Sequence, residues 1–268
     1  MTPFSKPWYA EQCEEIRIYP ERERGQNFLI DTNVVNRITE NLELKKGDHV
    51  IEIGPGFGIL TRALAQTGAT IEVFDIEKKF EHTPIIEEVI SEHDVTWNTE
   101  NILNIDEREF PEDYILASNL PYSISSDAII KFLNSSNPPK TTVFMLQKEV
   151  VSRITAQPKK MTQLGVMVQL LAKPKRLFKV SHEQFWPIPK VDSAVVRMDR
   201  KEKTEYTETA LKLARTGFTF KRKKLSNNLA ALTDNPKELL EKAGIDINVR
   251  SEELTIEDWL KLAEAFDN

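Results

Sequence analysis

A turn with three glycines in five residues constrains this chain more than any other feature. Gly54-Pro55-Gly56-Phe57-Gly58 follows an apolar strand, His49 to Ile53, and precedes a helix that begins near Gly58 and ends at Gly68. Glycines at such a place let the backbone turn sharply and come close to a ligand, as they do where a parallel α/β sheet begins. The third glycine is misplaced for a dinucleotide fingerprint, so a nucleoside ligand without a phosphate suits the loop equally well. A turn that serves packing alone would read the same way. The next strand, TIEVFDIE, brings Asp75 to its end about 20 residues after the loop, where a carboxylate can accept from both hydroxyls of a ribose. A capping or surface carboxylate is the plainer reading of Asp75. With no clear phosphate cradle, loop and carboxylate together favour S-adenosylmethionine over a nicotinamide cofactor.

The rest of the chain extends that unit. Asp31 is placed to cap a helix through DTNVVNRITENLEL. A helix follows Pro84 through Ile90. VTWNTE and YILASNL read as third and fourth strands, SSDAIIKFLNSS as a helix and TTVFMLQ as a fifth strand. Five strands alternating with helices predict an α/β fold with a mostly parallel sheet covered on both faces. LFKVSHEQFWPIP and SAVVRMDR read as two further strands at the end of that sheet. Beyond about residue 203 the periodicity is helical throughout. The expected organisation is an irregular N-terminal segment over 1–24, an α/β domain over 25–203 and a small helical domain over 204–268.

No run of about 18 apolar residues occurs, and the N-terminus has no apolar stretch of a secretory kind, so neither a membrane span nor export is expected. The one cysteine, Cys13, excludes an internal disulfide framework and a multi-cysteine zinc site, and it suits a reducing cytoplasm. No cluster of His, Cys and Asp has metal-ligand spacing, and no metal is expected.

Net charge is −6, which taken alone argues against a nucleic-acid partner. Its distribution argues the opposite. Residues 1–139 carry 12 basic against 25 acidic side chains, residues 140–225 carry 20 against 7, and residues 226–268 carry 4 against 10. One basic face on an acidic body can bind phosphates locally. An unevenly charged solvated surface gives the same counts.

The fourth strand ends in Asn119-Leu120-Pro121-Tyr122, and ligands of open α/β sheets sit beyond the carboxyl ends of strands. Asn119 offers a carbonyl, Pro121 stiffens the turn without an N–H, and Tyr122 offers a flat ring. The set suits a planar base that carries an exocyclic amine. Together with GQNFLID (25–31), VIEIGPGFGILT (50–61), SNLPYSIS (118–125), FMLQKEVVSRI (144–154), FWPIPKVDSAVVR (185–197) and RSEELTIEDWLKLAEA (250–265), the chain resembles the ribosomal RNA adenine dimethyltransferase family of the KsgA type.

That resemblance implies a class I, Rossmann-like S-adenosylmethionine-dependent methyltransferase sheet with a helical C-terminal domain. It implies N6,N6-dimethylation of two adjacent adenosines in the 3′-terminal hairpin loop of small-subunit rRNA, by a cytoplasmic monomer acting on a pre-ribosomal small subunit. Roles carry over by motif. Asn27, Leu29, Gly54, Gly56, Asp75, Asn101 and Asn119 match cofactor-binding positions. Asp75 stands where the family usually has Glu, and Asn101 where it usually has Asp. Asn119, Leu120, Pro121, Tyr122 and Phe185 match the catalytic turn and the aromatic pair that sandwiches the target adenine. Lys173, Lys175 and Arg176, with Lys221, Arg222, Lys223 and Lys224, are candidate phosphate contacts. The four histidines, His49, His82, His93 and His182, fall in no matching motif and read as structural or surface groups. Two alternatives stay open: a DNA adenine methyltransferase with a related turn, and a ribosome-assembly or transcription factor of this fold with weakened catalysis.

Overall fold

Apolar runs with no polar alternation belong to strands covered on both faces, and here they sit at the centre of the sheet. The computed structural model describes residues 2–20, 26–220 and 222–268. Its strands are β1 Phe28–Leu29, β2 His49–Ile53, β3 Thr70–Phe74, β4 Val95–Asn98, β5 Ile115–Asn119, β6 Thr141–Gln147, β7 Ala172–Val180, β8 Phe185–Trp186 and β9 Ser193–Arg200. Its helices are α1 Lys6–Glu15, α2 Thr32–Leu42, α3 Ile59–Ala65, α4 Pro84–Glu92, α5 Ser125–Leu133, α6 Lys148–Ile154, α7 Gln163–Leu171, α8 Thr207–Gly217, α9 Leu225–Leu229, α10 Pro236–Lys242 and α11 Ile256–Asp267.

Seven strands form the main sheet in the order β4-β3-β2-β5-β6-β9-β7. Pairings from β4 to β6 are parallel, and β9 returns antiparallel to β6. From β2 the chain first adds strands on one side, β3 and β4, and then crosses to the other side for β5. The carboxyl ends of β2 and β5 therefore flank a topological switch point, where a crevice opens in such sheets. Val50, Ile71, Ala117, Val143 and Val195 pack with Val34, Val35 and Ile38 of α2 in the core.

The chain divides into two compact units. One comprises residues 1–151 and 175–199 and holds most of the sheet; the other comprises residues 152–174 and 200–268. The second unit takes in α7, which lies well before residue 204. Met161 N–H donates to the Glu252 carbonyl at 3.2 Å, and Lys201 Nζ to the Gln169 carbonyl at 3.0 Å. Gly217 closes α8 where a methyl group would lie 2.7 Å from the Trp259 ring, so Trp259 of α11 packs fully buried against it. Among the described residues, no helix is long and apolar enough to cross a membrane.

Two expectations need correction. Over residues 2–20 the N-terminal segment is not irregular: α1 starts from Ser5, whose side chain accepts from Trp8 N–H, with Pro7 in its first turn. Its buried face is Trp8, Tyr9, Gln12 and Cys13, which has helical spacing but no aliphatic residue, and so no conventional apolar stripe. LFKVSHEQFWPIP is not one strand either. Ser181 and Gln184 form a reciprocal capping box that turns the chain. β8 thereby leaves the main sheet and pairs antiparallel with β1, Phe28 opposite Trp186 and Leu29 opposite Phe185.

Candidate active site

A cavity of about 300 Å³ opens at the switch point, within the range of small-molecule sites. Gly54 leaves β2, and its N–H donates to the Phe74 carbonyl at 2.8 Å, which ties the turn to the end of β3. Gly56 has φ +54, and a Cβ there would stand 3.2 Å from the Phe28 ring. Gly58 has φ +84 as it enters α3, and a Cβ would meet Ile86 at 2.8 Å. Neither position accepts a side chain without displacing its neighbour.

Asp75 lines the cavity from the end of β3. Its N–H donates to the Asn98 carbonyl at 3.1 Å, and its Oδ1 accepts from Glu77 N–H at 2.9 Å. Burial pushes its carboxyl up to about 6, against the opposing pull of backbone N–H groups. Beside it lies Glu52, on β2 and only 1% exposed. Glu52 Oε2 has no hydrogen-bond partner. Burial, with the Asp75 charge adding to it, pushes Glu52 up to about 8. Sequence reasoning passed over Glu52, although a carboxylate in the otherwise apolar run HVIEI was the available signal. Asn101 also lines the cavity, and its Oδ1 accepts from Leu103 N–H at 3.0 Å at the start of a short 3₁₀ turn.

Across the switch point stands the turn after β5. Asn119, Leu120, Pro121 and Tyr122 all line the same cavity. Pro121 lies beside the glycine turn, 3.6 Å from where a Gly54 Cβ would be. Asn119 Nδ2 donates to the Asn27 carbonyl at 3.5 Å. That contact points the amide nitrogen toward β1 and leaves Oδ1 as the acceptor. Tyr122 Oη and the buried Ser193 Oγ of β9 are 2.8 Å apart, and burial raises the phenol above its ordinary value. Asn27 and Leu29 line the cavity from the β1 side.

Phe185 is not brought to the cavity. It is 1% exposed in the core cluster with Leu29, Val180 and Val195. Phe185 is opposite Leu29 in the β1–β8 register and does not line this cavity. The aromatic wall comes instead from residues that motif reading left out, Tyr9, Phe28, Phe57 and Phe80, all lining the cavity.

The basic candidates lie elsewhere. Lys173, Lys175 and Arg176 are exposed on β7, an edge strand of the sheet. Charge there also prevents edge-to-edge pairing. Arg222, Lys223 and Lys224 are exposed in the connection between α8 and α9, with Lys223 Nζ 4.6 Å from the centre of the Phe220 ring. Lys221 lies outside the described residues. His49 pairs with Glu72 at 2.7 Å, His182 with Asp192 at 2.8 Å and His82 with Glu87 at 3.7 Å, away from the cavity lining. Among the described residues no group of His, Cys, Asp and Glu is arranged to hold a metal ion.

A family model described as ribosomal RNA adenine dimethylase matches residues 21–268. A ribosomal RNA small subunit methyltransferase A of Clostridium botulinum is 39% identical over 253 residues, covering 90% of this chain and 91% of the relative. The protein of that name from Listeria innocua is 36% identical over 261 residues, covering 89% and 88%. Among solved structures, a dimethyladenosine transferase from Plasmodium falciparum superposes with a TM-score of 0.76 at 26% identity, covering 88% of this chain and 95% of that one. The 23S rRNA methyltransferase ErmE gives 0.73 at 26% identity, covering 90% and 100%.

Proposed function

The chain belongs to the ribosomal RNA adenine dimethylase family, and from that premise we propose that it dimethylates the exocyclic amines of two adjacent adenosines in the 3′-terminal hairpin loop of small-subunit rRNA. It is an S-adenosylmethionine-dependent methyltransferase. The proposed target is a pre-ribosomal small subunit, bound by a monomer in the cytoplasm during ribosome biogenesis. One observation carries the reading: the glycine turn, Asp75 and the Asn119–Tyr122 turn line one cavity at the switch point.

The residues present fit the cofactor. Asp75 lines the cavity with a carboxylate to offer a ribose diol, and the backbone of Gly54 and Gly56 lines it beside that carboxylate. Asn101 offers an amide to an adenine edge, and the Asn27–Leu29 segment covers the methionine end. When bound, S-adenosylmethionine supplies an electrophilic methyl on a sulfonium.

The chain's own part is to make a poor nucleophile reactive by placing it. The lone pair of an adenine amine is delocalised into the ring. Asn119 Oδ1, left free by the contact of Nδ2 with Asn27, accepts one amine hydrogen. The Leu120 carbonyl accepts the other. Two acceptors favour a pyramidal nitrogen with its lone pair turned toward the methyl donor, which is positioning combined with electrostatic complementarity. Tyr122, held by Ser193, offers one face for the base. No strong general base is needed, because the nitrogen becomes acidic once alkylated. Turning the base into the pocket costs a few kcal/mol, less in an RNA loop than in a duplex. Exposed Arg222, Lys223 and Lys224 supply phosphate contacts.

The test is mass spectrometry of rRNA after incubation of small subunits that lack these methyl groups with purified protein and S-adenosylmethionine. N6,N6-dimethyladenosine at two neighbouring positions of the 3′-terminal hairpin is expected. Methyl groups placed on large-subunit rRNA or on DNA instead would overturn the reading, as would none at all.

A further inference from the structure

The family match begins at residue 21, so α1 precedes the matched part of the chain. Yet Tyr9 of that helix lines the cavity. We propose that Tyr9 is a positioning residue for the cofactor: it fixes the β1 segment, and with it the Asn27 carbonyl, at the edge of the cavity. The inference rests on the reading that this cavity takes S-adenosylmethionine.

Tyr9 meets three parts of the site. Its ring is stacked on Phe28 of β1 at 5.5 Å and 20°, and on Trp186 of β8 at 5.9 Å and 7°. These two residues are partners in the β1–β8 register. The same ring meets Phe57 of the glycine turn edge-on at 5.3 Å. Its hydroxyl donates to the Leu29 carbonyl at 2.7 Å. A second tie lies at the end of the helix, where Lys79 Nζ, four residues beyond Asp75, donates to the Arg17 carbonyl at 3.0 Å.

A hydroxyl is an expensive choice for this place. Tyr9 is 1% exposed within a cluster of Phe4, Trp8, Phe57 and Phe80, and a buried hydroxyl costs free energy unless it is hydrogen-bonded. Phenylalanine would fill the same volume. What the oxygen adds is one hydrogen bond from α1 to a two-residue strand that pairs with β8. Two residues upstream of Leu29, the Asn27 carbonyl takes Asn119 Nδ2. Tyr9 thus acts through β1 on the cofactor segment and on the orientation of the Asn119 amide. Burial keeps the phenol well above its ordinary value, so it remains a donor.

The experiment compares the full chain with Tyr9→Phe and Tyr9→Ala. It measures the Kd for S-adenosylmethionine by calorimetry, KM for cofactor and for small subunits, kcat, and the thermal midpoint. Tyr9→Phe keeps the ring and should fold as the parent does. It should raise Kd and KM for the cofactor by about 2–12-fold, the range of one net hydrogen bond, and leave KM for RNA unchanged. Tyr9→Ala should raise the cofactor values further. A purely structural role would lower the thermal midpoint and leave the cofactor Kd of the folded protein alone. Parent-like Kd in Tyr9→Phe, with the parent binding the cofactor, overturns the role of Tyr9 by itself. A parent that binds no S-adenosylmethionine overturns the reading of the cavity, and this inference with it.

Discussion

The two walls of the cavity are built on different plans. The polar wall is a handful of atoms at the ends of three neighbouring strands: Glu52 and Gly54 at β2, Asp75 at β3, Asn119 at β5. The aromatic wall is the cavity-lining part of a ring cluster from five separate stretches of chain. Phe4, Trp8 and Tyr9 come from the N-terminus, Phe28 from β1, Phe57 from the glycine turn, Phe80 from a 3₁₀ turn and Trp186 from β8. Its ring centres lie from 4.8 Å apart, for Phe28 and Phe57, to 6.5 Å, for Phe28 and Trp186. In the polar wall the side chains make few contacts: Asn119 Nδ2 reaches the Asn27 carbonyl at 3.5 Å, and Glu52 Oε2 has no hydrogen-bond partner. In the aromatic wall each ring has several partners, and each such pair contributes about 0.5–1.5 kcal/mol beyond its buried area. Polar-wall substitutions should therefore cost binding or rate with little stability. Aromatic-wall substitutions should cost stability in small steps.

Asn119→Ala is the sharpest case. The side chain makes one long contact, to Asn27, and its Oδ1 is free for the target amine. Loss of one such acceptor costs about 2.7–4 kcal/mol of transition-state stabilisation, or about 10²–10³ in rate. Single-turnover transfer at saturating cofactor should fall by that factor, while cofactor affinity and the unfolding midpoint stay close to the parent's. A variant that keeps nearly full transfer would remove Asn119 from catalysis and would erase the contrast between the walls.

Asp75→Ala tests binding where Asn119 tests rate. Loss of charge-assisted hydrogen bonds to a ribose should weaken S-adenosylmethionine by about 1.5–3 kcal/mol, read by calorimetry. Asp75→Glu, which adds one methylene, should be neutral or slightly tighter. Unchanged affinity in the Ala variant would mean that the end of β3 is not the ribose side of the cavity.

These residues were legible because motif and strand end coincide. Gly54, Gly56, Asp75 and Asn119 each sit within a few positions of a strand that its own apolar run announces. α2, with its Asp31 cap, and the parallel core from β2 to β6 were legible for the same reason. The aromatic wall was not. α1 buries Gln12 and Cys13 beside Trp8 and Tyr9, so its inward face lacks the aliphatic stripe that marks a helix. The burial of Phe185 was not legible either. An aromatic beside Trp186-Pro187 in a matching segment suggests a stacking ring, but its direction depends on the pairing of β8 with β1. That is a long-range register that no local pattern encodes. α7 joined the second unit through contacts with α8, which sequence distance concealed.

Glu52 sharpens the comparison with pH. It is the member of the polar wall with no access to water, and burial raises its folded value to about 8. Between the ordinary carboxylate range and pH 8, the folded chain holds a proton that the unfolded chain has released. Stability from this group is therefore complete below the unfolded value and is lost as pH rises toward 8. The slope is at most about 1.4 kcal/mol per pH unit for one proton. Urea unfolding between pH 5 and 8 should show this decline, and Glu52→Gln should flatten it. Equal slopes in the two proteins would show that Glu52 is ionised in the fold.

Phe57→Leu should have the smallest effect on transfer, and it tests the aromatic plan directly. Phe57 sits inside the glycine turn, between Gly56 and Gly58, yet its ring points away from the polar wall into four aromatic neighbours. It has no polar atom, so it can contribute packing and nothing like the Tyr9 bond. Leucine keeps the residue apolar and loses only ring contacts. At about 0.5–1.5 kcal/mol for each ring pair, loss of the four contacts costs about 2–6 kcal/mol, and each kcal/mol lowers the thermal midpoint of a chain of this size by about 2–4 °C. Transfer at saturating cofactor should match the parent, because the neighbouring rings still hold the backbone of the turn. If Phe57→Leu instead lost transfer a hundredfold at an unchanged midpoint, the two walls would not differ in kind. The aromatic cluster would then act on the reacting groups through the turn itself, and the division between a polar wall that reacts and an aromatic wall that supports would fail.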